Sequence, residues 1–164
     1  HRECFLAACV LSRWFHRAGL LVPVVDATDP QALVGVHTLV AVSAPGTLSQ
    51  AYFAAQLVKG VATGMPIVHV VVDEEFRFPQ GDFYEAIRQG RAFGDNHEVW
   101  KRFFGYGAPR QSVIDAYNTM FTQVALPFYP QRATSVVAQQ FGGVRRGVRA
   151  VRNVVPQVVG GMLF

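Results

Sequence analysis

At 164 residues, with 51% hydrophobic and 16% charged side chains, the chain fits one globular domain with a sizeable core and is not a disordered polymer. No apolar run approaches the roughly 18 to 20 residues that a membrane-spanning helix needs. The formal charge of +4 is unevenly placed: the last acidic residue is Asp115, and beyond it stand Arg132, Arg145, Arg146, Arg149 and Arg152 with no Asp or Glu.

The chain opens on His1 rather than Met, which leaves no targeting sequence to read. Residues 3–18 (ECFLAACVLSRWFHRA) read as a helix, apolar nearly all round at first, with Arg13, His16 and Arg17 near its negative end and Gly19 as its stop. Cys4 and Cys9 point to different faces of that helix and read as small apolar groups, not as a disulfide or zinc site. Leu20–Val25 reads as a strand closed by Asp26, where Pro23 favours an edge or bulged position because it cannot donate to a ladder.

The central unit runs from His37 to Glu75. An apolar run, Thr38–Val42, meets a Ser-Ala-Pro-Gly break, passes through a helix from about Leu48 to Val61, and returns as Ile67–Val72. Runs this rich in Val, Ile and Leu suit a parallel sheet covered by helices on both faces. Thr47 with Gln50 has the capping-box form, in which a side-chain oxygen accepts from a free amide. Asp82 with Glu85, Asp95 with Glu98 and Ser112 with Asp115 repeat it, opening helices that end near Gly90, near Gly105 and before Pro127. The expectation is an α/β fold with at least three parallel strands. Near the end, Val144, Val148, Val151 and Val155 recur at helical spacing while Arg145, Arg149 and Arg152 take another face, a basic amphipathic segment that Pro156 should bend or end.

Several of these residues carry a family resemblance. The run Leu39–Ser43, then Leu48 and Ser49, then Tyr52 with Gln56 and Leu57, then the strand opening at Pro66 and Ile67, resembles the middle of a TIR (Toll/interleukin-1 receptor-like) domain. Ala8 to Asp26 looks like that family's first helix and second strand, and residues 1–3 like the remnant of the loop after a first strand lying upstream. The resemblance covers roughly residues 1–125 and implies a flavodoxin-like parallel sheet flanked by helices. It divides the chain into a TIR-like α/β domain over 1–128, its first strand upstream or missing, and a basic amphipathic tail over 129–164.

Family members act as self-associating signalling adaptors, and some cleave NAD with a glutamate whose negative charge favours a cationic transition state. The matching position here is Gln56, whose amide can hydrogen-bond a ribose but supplies no charge and cannot act as a base. Only eleven residues, Ala27 to His37, separate Asp26 from Thr38, where the family places a long charged loop and a full helix. The resemblance therefore implies a degenerate member kept for its shape: a non-enzymatic structural or interaction module, a scaffold, subunit or adaptor in a larger intracellular assembly, working without a cofactor. Asp26, Ser43, Tyr52 and Gln56 would be the remains of its pocket. The alternative is an NAD-cleaving or nucleoside-transferring enzyme with a relocated carboxylate, Asp26, Glu74 or Glu75.

Plainer readings stand beside these. Gln56 also reads as a polar residue on a half-exposed helix face. Ser43 and Ser49 sit in no Gly-x-Ser-x-Gly and read as strand-end and helix-start residues. His1, His16, His37, His69 and His97 show no metal spacing, and His69 inside a Val-rich strand reads as a core or pocket residue. Asp73, Glu74 and Glu75 form an acidic turn just past a strand's carboxyl end. The arginine segment could follow nucleic-acid phosphates or lie on an anionic membrane, but it lacks the aromatic residues both uses favour. Docking onto protein is the favoured use, with Phe76, Phe78, Arg145, Arg146, Arg149 and Arg152 as contact residues; the plainer reading is a tail that packs back on its own domain.

Overall fold

The computed structural model describes residues 2–20, 22, 24, 27–152 and 160–163, of which 2, 3, 151, 152 and 160–163 are described through their backbone. The first helix, α1 (Arg2–Arg17), is followed by β1 (Thr38–Ser43), a 3-10 turn (Thr47–Ser49), α2 (Ala51–Ala62) and β2 (Ile67–Val71). Then come α3 (Gly81–Arg88), α4 (His97–Phe104), α5 (Arg110–Phe121), the short β3 (Leu126–Pro127), α6 (Thr134–Arg152) and β4 (Gly160–Leu163). The strands form one parallel sheet in the order β3-β2-β1-β4, with Leu39 opposite Ile67 and Gly161, and Val70 opposite Leu126. The α/β architecture agrees with the sequence pattern, and its flavodoxin-like arrangement with what the resemblance implies.

Strand side chains alternate between two cores. Leu39, Ala41, Ile67 and Val71 pack under α2, α4 and α5, whereas Val40, Val42, Val68, Val70 and Val72 pack under α1 and α6. Every residue of β1 and β2 is buried, which explains why both read as continuous apolar runs. The two faces also follow from crossover handedness. The connections β1 to β2 and β2 to β3 step one way across the sheet, and the connection through α6 steps back to β4 on the far side of β1. One handedness for all of them puts α6 on the face opposite α2 and α5, where it is found.

The C-terminal segment departs from the tail expected over 129–164. Val137, Phe141, Val144 and Val148 of α6 are buried in the second core, where Phe141 stacks near Trp14 and Phe15 at 5.4 and 5.1 Å between ring centres. Burying that valine stripe against an apolar sheet is worth more than leaving it in water, so the amphipathic helix covers its own domain. Residues 160–163 then fill the sheet position beside β1 that the sequence reading assigns to a strand upstream of His1. In a flavodoxin-like order, with β1, β2 and β3 as third, fourth and fifth strands, β4 lies where the first strand belongs. Pro156 lies outside the described residues, and α6 ends before it at Arg152. Of the strand expected at Leu20–Val25, positions 21, 23 and 25 lie outside the described residues, as does Asp26; Val24 forms an isolated bridge, and the Val22 carbonyl accepts from Ser12 Oγ at 2.8 Å.

The helix positions agree with expectation to within a few residues, but the capping boxes do not form. The residues preceding α2, α3, α4 and α5 are Gln50, Gln80, Asn96 and Pro109, and none makes a side-chain cap. Thr47 is drawn inward instead. Gly46, at φ 81°, turns the chain sharply after β1, and the Thr47 hydroxyl accepts from the Ala44 amide at 3.1 Å within that turn.

On the other face of the sheet, Gly147 lets α6 approach closely: a Cβ there would lie 2.9 Å from Leu126 Cδ1 and 3.6 Å from Val68 Cγ1. Gly147→Leu is expected to cost about 1–3 kcal/mol through overpacking, despite the better helix propensity of leucine, and urea unfolding measures it.

Candidate functional site

The carboxyl ends of β1 and β2 bring together the polar residues that the apolar strands carry. Ser43 and His69 are almost wholly buried, at 0% and 1% exposure, and Ser43 Oγ lies 3.1 Å from His69 Nε2. Phe76, Phe78 and Phe121 stand edge-on around the imidazole, with ring centres 6.0, 6.1 and 5.5 Å away. Burial in this aromatic cage disfavours the charged ring and lowers the His69 pKa to about 4. At pH 7 the pair is therefore neutral. Among the described residues His69 Nδ1 has no partner, and no carboxylate orients the ring as a Ser-His-Asp arrangement would.

Gln56 departs from the plainer sequence reading. It is fully buried, not half-exposed, and its Nε2 donates to the backbone carbonyls of Ala27 at 3.2 Å and Asp29 at 2.6 Å. Lys59, one turn on, donates to the Pro30 carbonyl at 2.9 Å. Together they pin the connection that follows residue 26 across α2. That connection has little regular structure to satisfy its own carbonyls, and helix side chains supply the missing donors. Tyr52, on the same helix, packs toward Phe103 at 6.1 Å. Ser43 and Gln56 thus serve separate environments, and Asp26 lies outside the described residues.

Three of the surface clefts lie among the described residues, and Ser43, Tyr52 and Gln56 line none of these three. The first, about 390 Å³, lies at the carboxyl edge of the sheet between Leu6, Ala7 and Val10 of α1, Ala44 after β1, Val72 and Asp73 after β2, and Pro130 and Gln131 after β3. A second, about 630 Å³, adjoins it and holds Pro45, Glu74, Glu75 and Arg132 as well as Asp73 and Gln131. The acidic turn is well formed: Asp73 Oδ1 accepts from the Glu75 amide at 2.7 Å, and Glu74 is paired with Arg132, which holds the guanidinium pKa above its ordinary value. The third cleft, about 410 Å³, lies at the carboxyl-terminal end of α2, beside Lys59 and Ala62, and is flanked by Leu33, Val34, Met65 and Phe104.

The expected contact residues separate. Phe76 is buried at 7% exposure and belongs to the core under α2 and α5, whereas Phe78, also edge-on to His69, remains 53% exposed. Arg146 and Arg149 are exposed on α6, Arg145 is half-buried, and the Arg152 side chain lies outside what the structure describes. Among the described residues no group of three His, Cys, Asp or Glu side chains is placed to hold a metal, and no helix is long and apolar enough to cross a membrane.

No family model matches this chain, and comparison with curated proteins and with solved structures finds no similar protein. Sequence reading misses Thr47 as the hinge of the β1 turn, with Cys4 Sγ 3.0 Å from its hydroxyl, and misses Tyr117, whose buried hydroxyl donates to the Leu48 carbonyl at 2.6 Å. Both contacts join residues more than forty positions apart, so no local spacing signals them. Gln131 is missed for the same reason: it enters the carboxyl-edge clefts only because β3 pairs with β2.

Proposed function

We propose that this chain is a TIR-like structural or interaction module that does not cleave NAD, working as a subunit or adaptor in a larger protein assembly. The reading rests on one observation. At the position where the resemblance expects a catalytic glutamate, Gln56 is fully buried and spends its amide on two backbone carbonyls. A side chain whose amide nitrogen is so committed offers no charge to a developing cation. Exposed Phe78 and the exposed arginines Arg146 and Arg149 are the contact surface left to this function, since Phe76, Val144 and Val148 are taken up by the core.

Incubating the purified full chain with NAD tests the first half of the proposal, with no nicotinamide above a protein-free blank as the expected result. Nicotinamide release that falls when Glu74 or Glu75 is made Ala would replace this reading with that of a relocated-carboxylate enzyme. For the second half, affinity purification of the wild type beside an Arg146→Glu, Arg149→Glu variant is expected to show a stoichiometric protein partner that the variant loses. Recovery of the wild type without any stoichiometric partner would overturn it.

A further inference from the structure

We propose that the carboxyl edge of the sheet binds a small cationic amphiphile, an ammonium group on a compact apolar body, in the cleft between α1 and the turns after β2 and β3. The location has a topological cause. The chain leaves β2 toward the face covered by α5, and leaves β3 toward the face covered by α6. Successive strands whose connections part to opposite faces open a crevice at their carboxyl ends, where ligands of parallel sheets bind. Val72 and Asp73 form one side of it, Pro130 and Gln131 the other, and α1 closes it with Leu6, Ala7 and Val10.

Size and lining select the ligand class. At about 390 Å³ the cleft is within the range of small-molecule sites, and its walls are aliphatic apart from Asp73 and Gln131. It continues into the polar cleft of about 630 Å³ that shares these two residues. There Glu74 is neutralised by Arg132, but among the described residues neither Asp73 nor Glu75 has an ion-pair partner. The bond from the Glu75 amide to Asp73 Oδ1 fixes the carboxylate at the junction of the apolar and polar clefts, so it is held in place before any ligand arrives. An anion would face two carboxylates there. A neutral apolar molecule would cover Asp73 without answering its charge, which is unfavourable. An ammonium satisfies both requirements. The inference does not depend on the TIR-like reading, since Gln56 does not line this cleft.

Titration of the full chain at pH 7, followed by amide NMR shifts, tests it with three probes of one shape: 2-phenylethylammonium, neutral 2-phenylethanol and anionic phenylacetate. Saturable binding of the ammonium is expected, with shifts centred on Ala7, Ala44 and Val72, at least about tenfold tighter than the alcohol, and no binding of the acid. Asp73→Asn, which keeps the acceptor for the Glu75 amide, should weaken the ammonium by about tenfold or more. Leu6→Trp, at a position 53% exposed on the rim, should abolish binding by filling the cleft, and the remote Asp115→Asn should change nothing. Equal affinities for ammonium and alcohol, binding that survives Asp73→Asn, or no saturable shift in wild type would each overturn the proposal.

Discussion

Gln56→Glu is expected to lower the stability of this protein by about 2–4 kcal/mol at pH 7, and to confer no NAD cleavage. The amide nitrogen of Gln56 faces two carbonyl oxygens, those of Ala27 and Asp29, inside a position with no solvent exposure. Exchanging that nitrogen for a carboxylate oxygen removes both donors, sets like partial charges against one another and buries a full charge. The glutamate can relieve this only by taking up a proton, so its carboxyl pKa in the folded state rises above the unfolded value. The sign follows: the penalty is largest at neutral pH and shrinks as pH falls through the raised pKa and toward the unfolded one. Urea unfolding of both proteins between pH 7 and pH 4 measures it, with the two stability curves converging on acidification. A variant as stable as wild type at pH 7 that also releases nicotinamide would show that position 56 faces a pocket after all.

His69 should make the wild type sensitive to mild acid. Its pKa falls from 6.5 to about 4 on folding, because the aromatic cage removes the ring from water. Between those values the unfolded chain binds the proton that the folded chain refuses, so stability is complete above pH 6.5 and declines as pH falls toward 4. A shift of that size corresponds to about 3 kcal/mol at the acid end. His69→Leu removes the titrating group and leaves Ser43 without its partner. Its stability at pH 7 should therefore be lower, but the slope between pH 6.5 and 5, above the range where ordinary carboxylates titrate, should be flat. An unchanged slope in His69→Leu would show that another group refuses the proton.

These two residues illustrate how unevenly the chain can be read in advance. The β1-α2-β2 unit is legible because its strands are buried on both faces: every position must be apolar, and a run of apolar residues between a Pro-Gly break and a helix has few other meanings. Helices α2 to α5 are legible from capping-box spacings and α6 from its valine period, yet the caps themselves do not form. The threonine at 47 satisfies the capping pattern locally but gains more by holding the turn that Gly46 makes. Gln56 reads from spacing alone as half-exposed, and the connection that buries it is irregular and carries no period of its own. Phe76 and Phe78 look equivalent in sequence, two residues apart in one loop, and both stand against His69, yet the fold of the turn leaves the first in the core and the second at the surface.

The order of apolar runs and breaks by itself determined the class of architecture, because alternating strands and helices of these lengths can bury their apolar surfaces only as a parallel sheet between two helical layers. Tertiary structure decided everything that needs two distant segments at once. It seated the valine stripe of α6 on the sheet, carried β4 to the flank of β1, paired Ser43 with His69, closed Gln56 onto residues 27 and 29, and opened the crevice at Asp73 and Gln131. The physical reason is range. Backbone periodicity acts over a few residues, whereas these contacts form only where strand pairing and crossover handedness bring remote parts of the chain together.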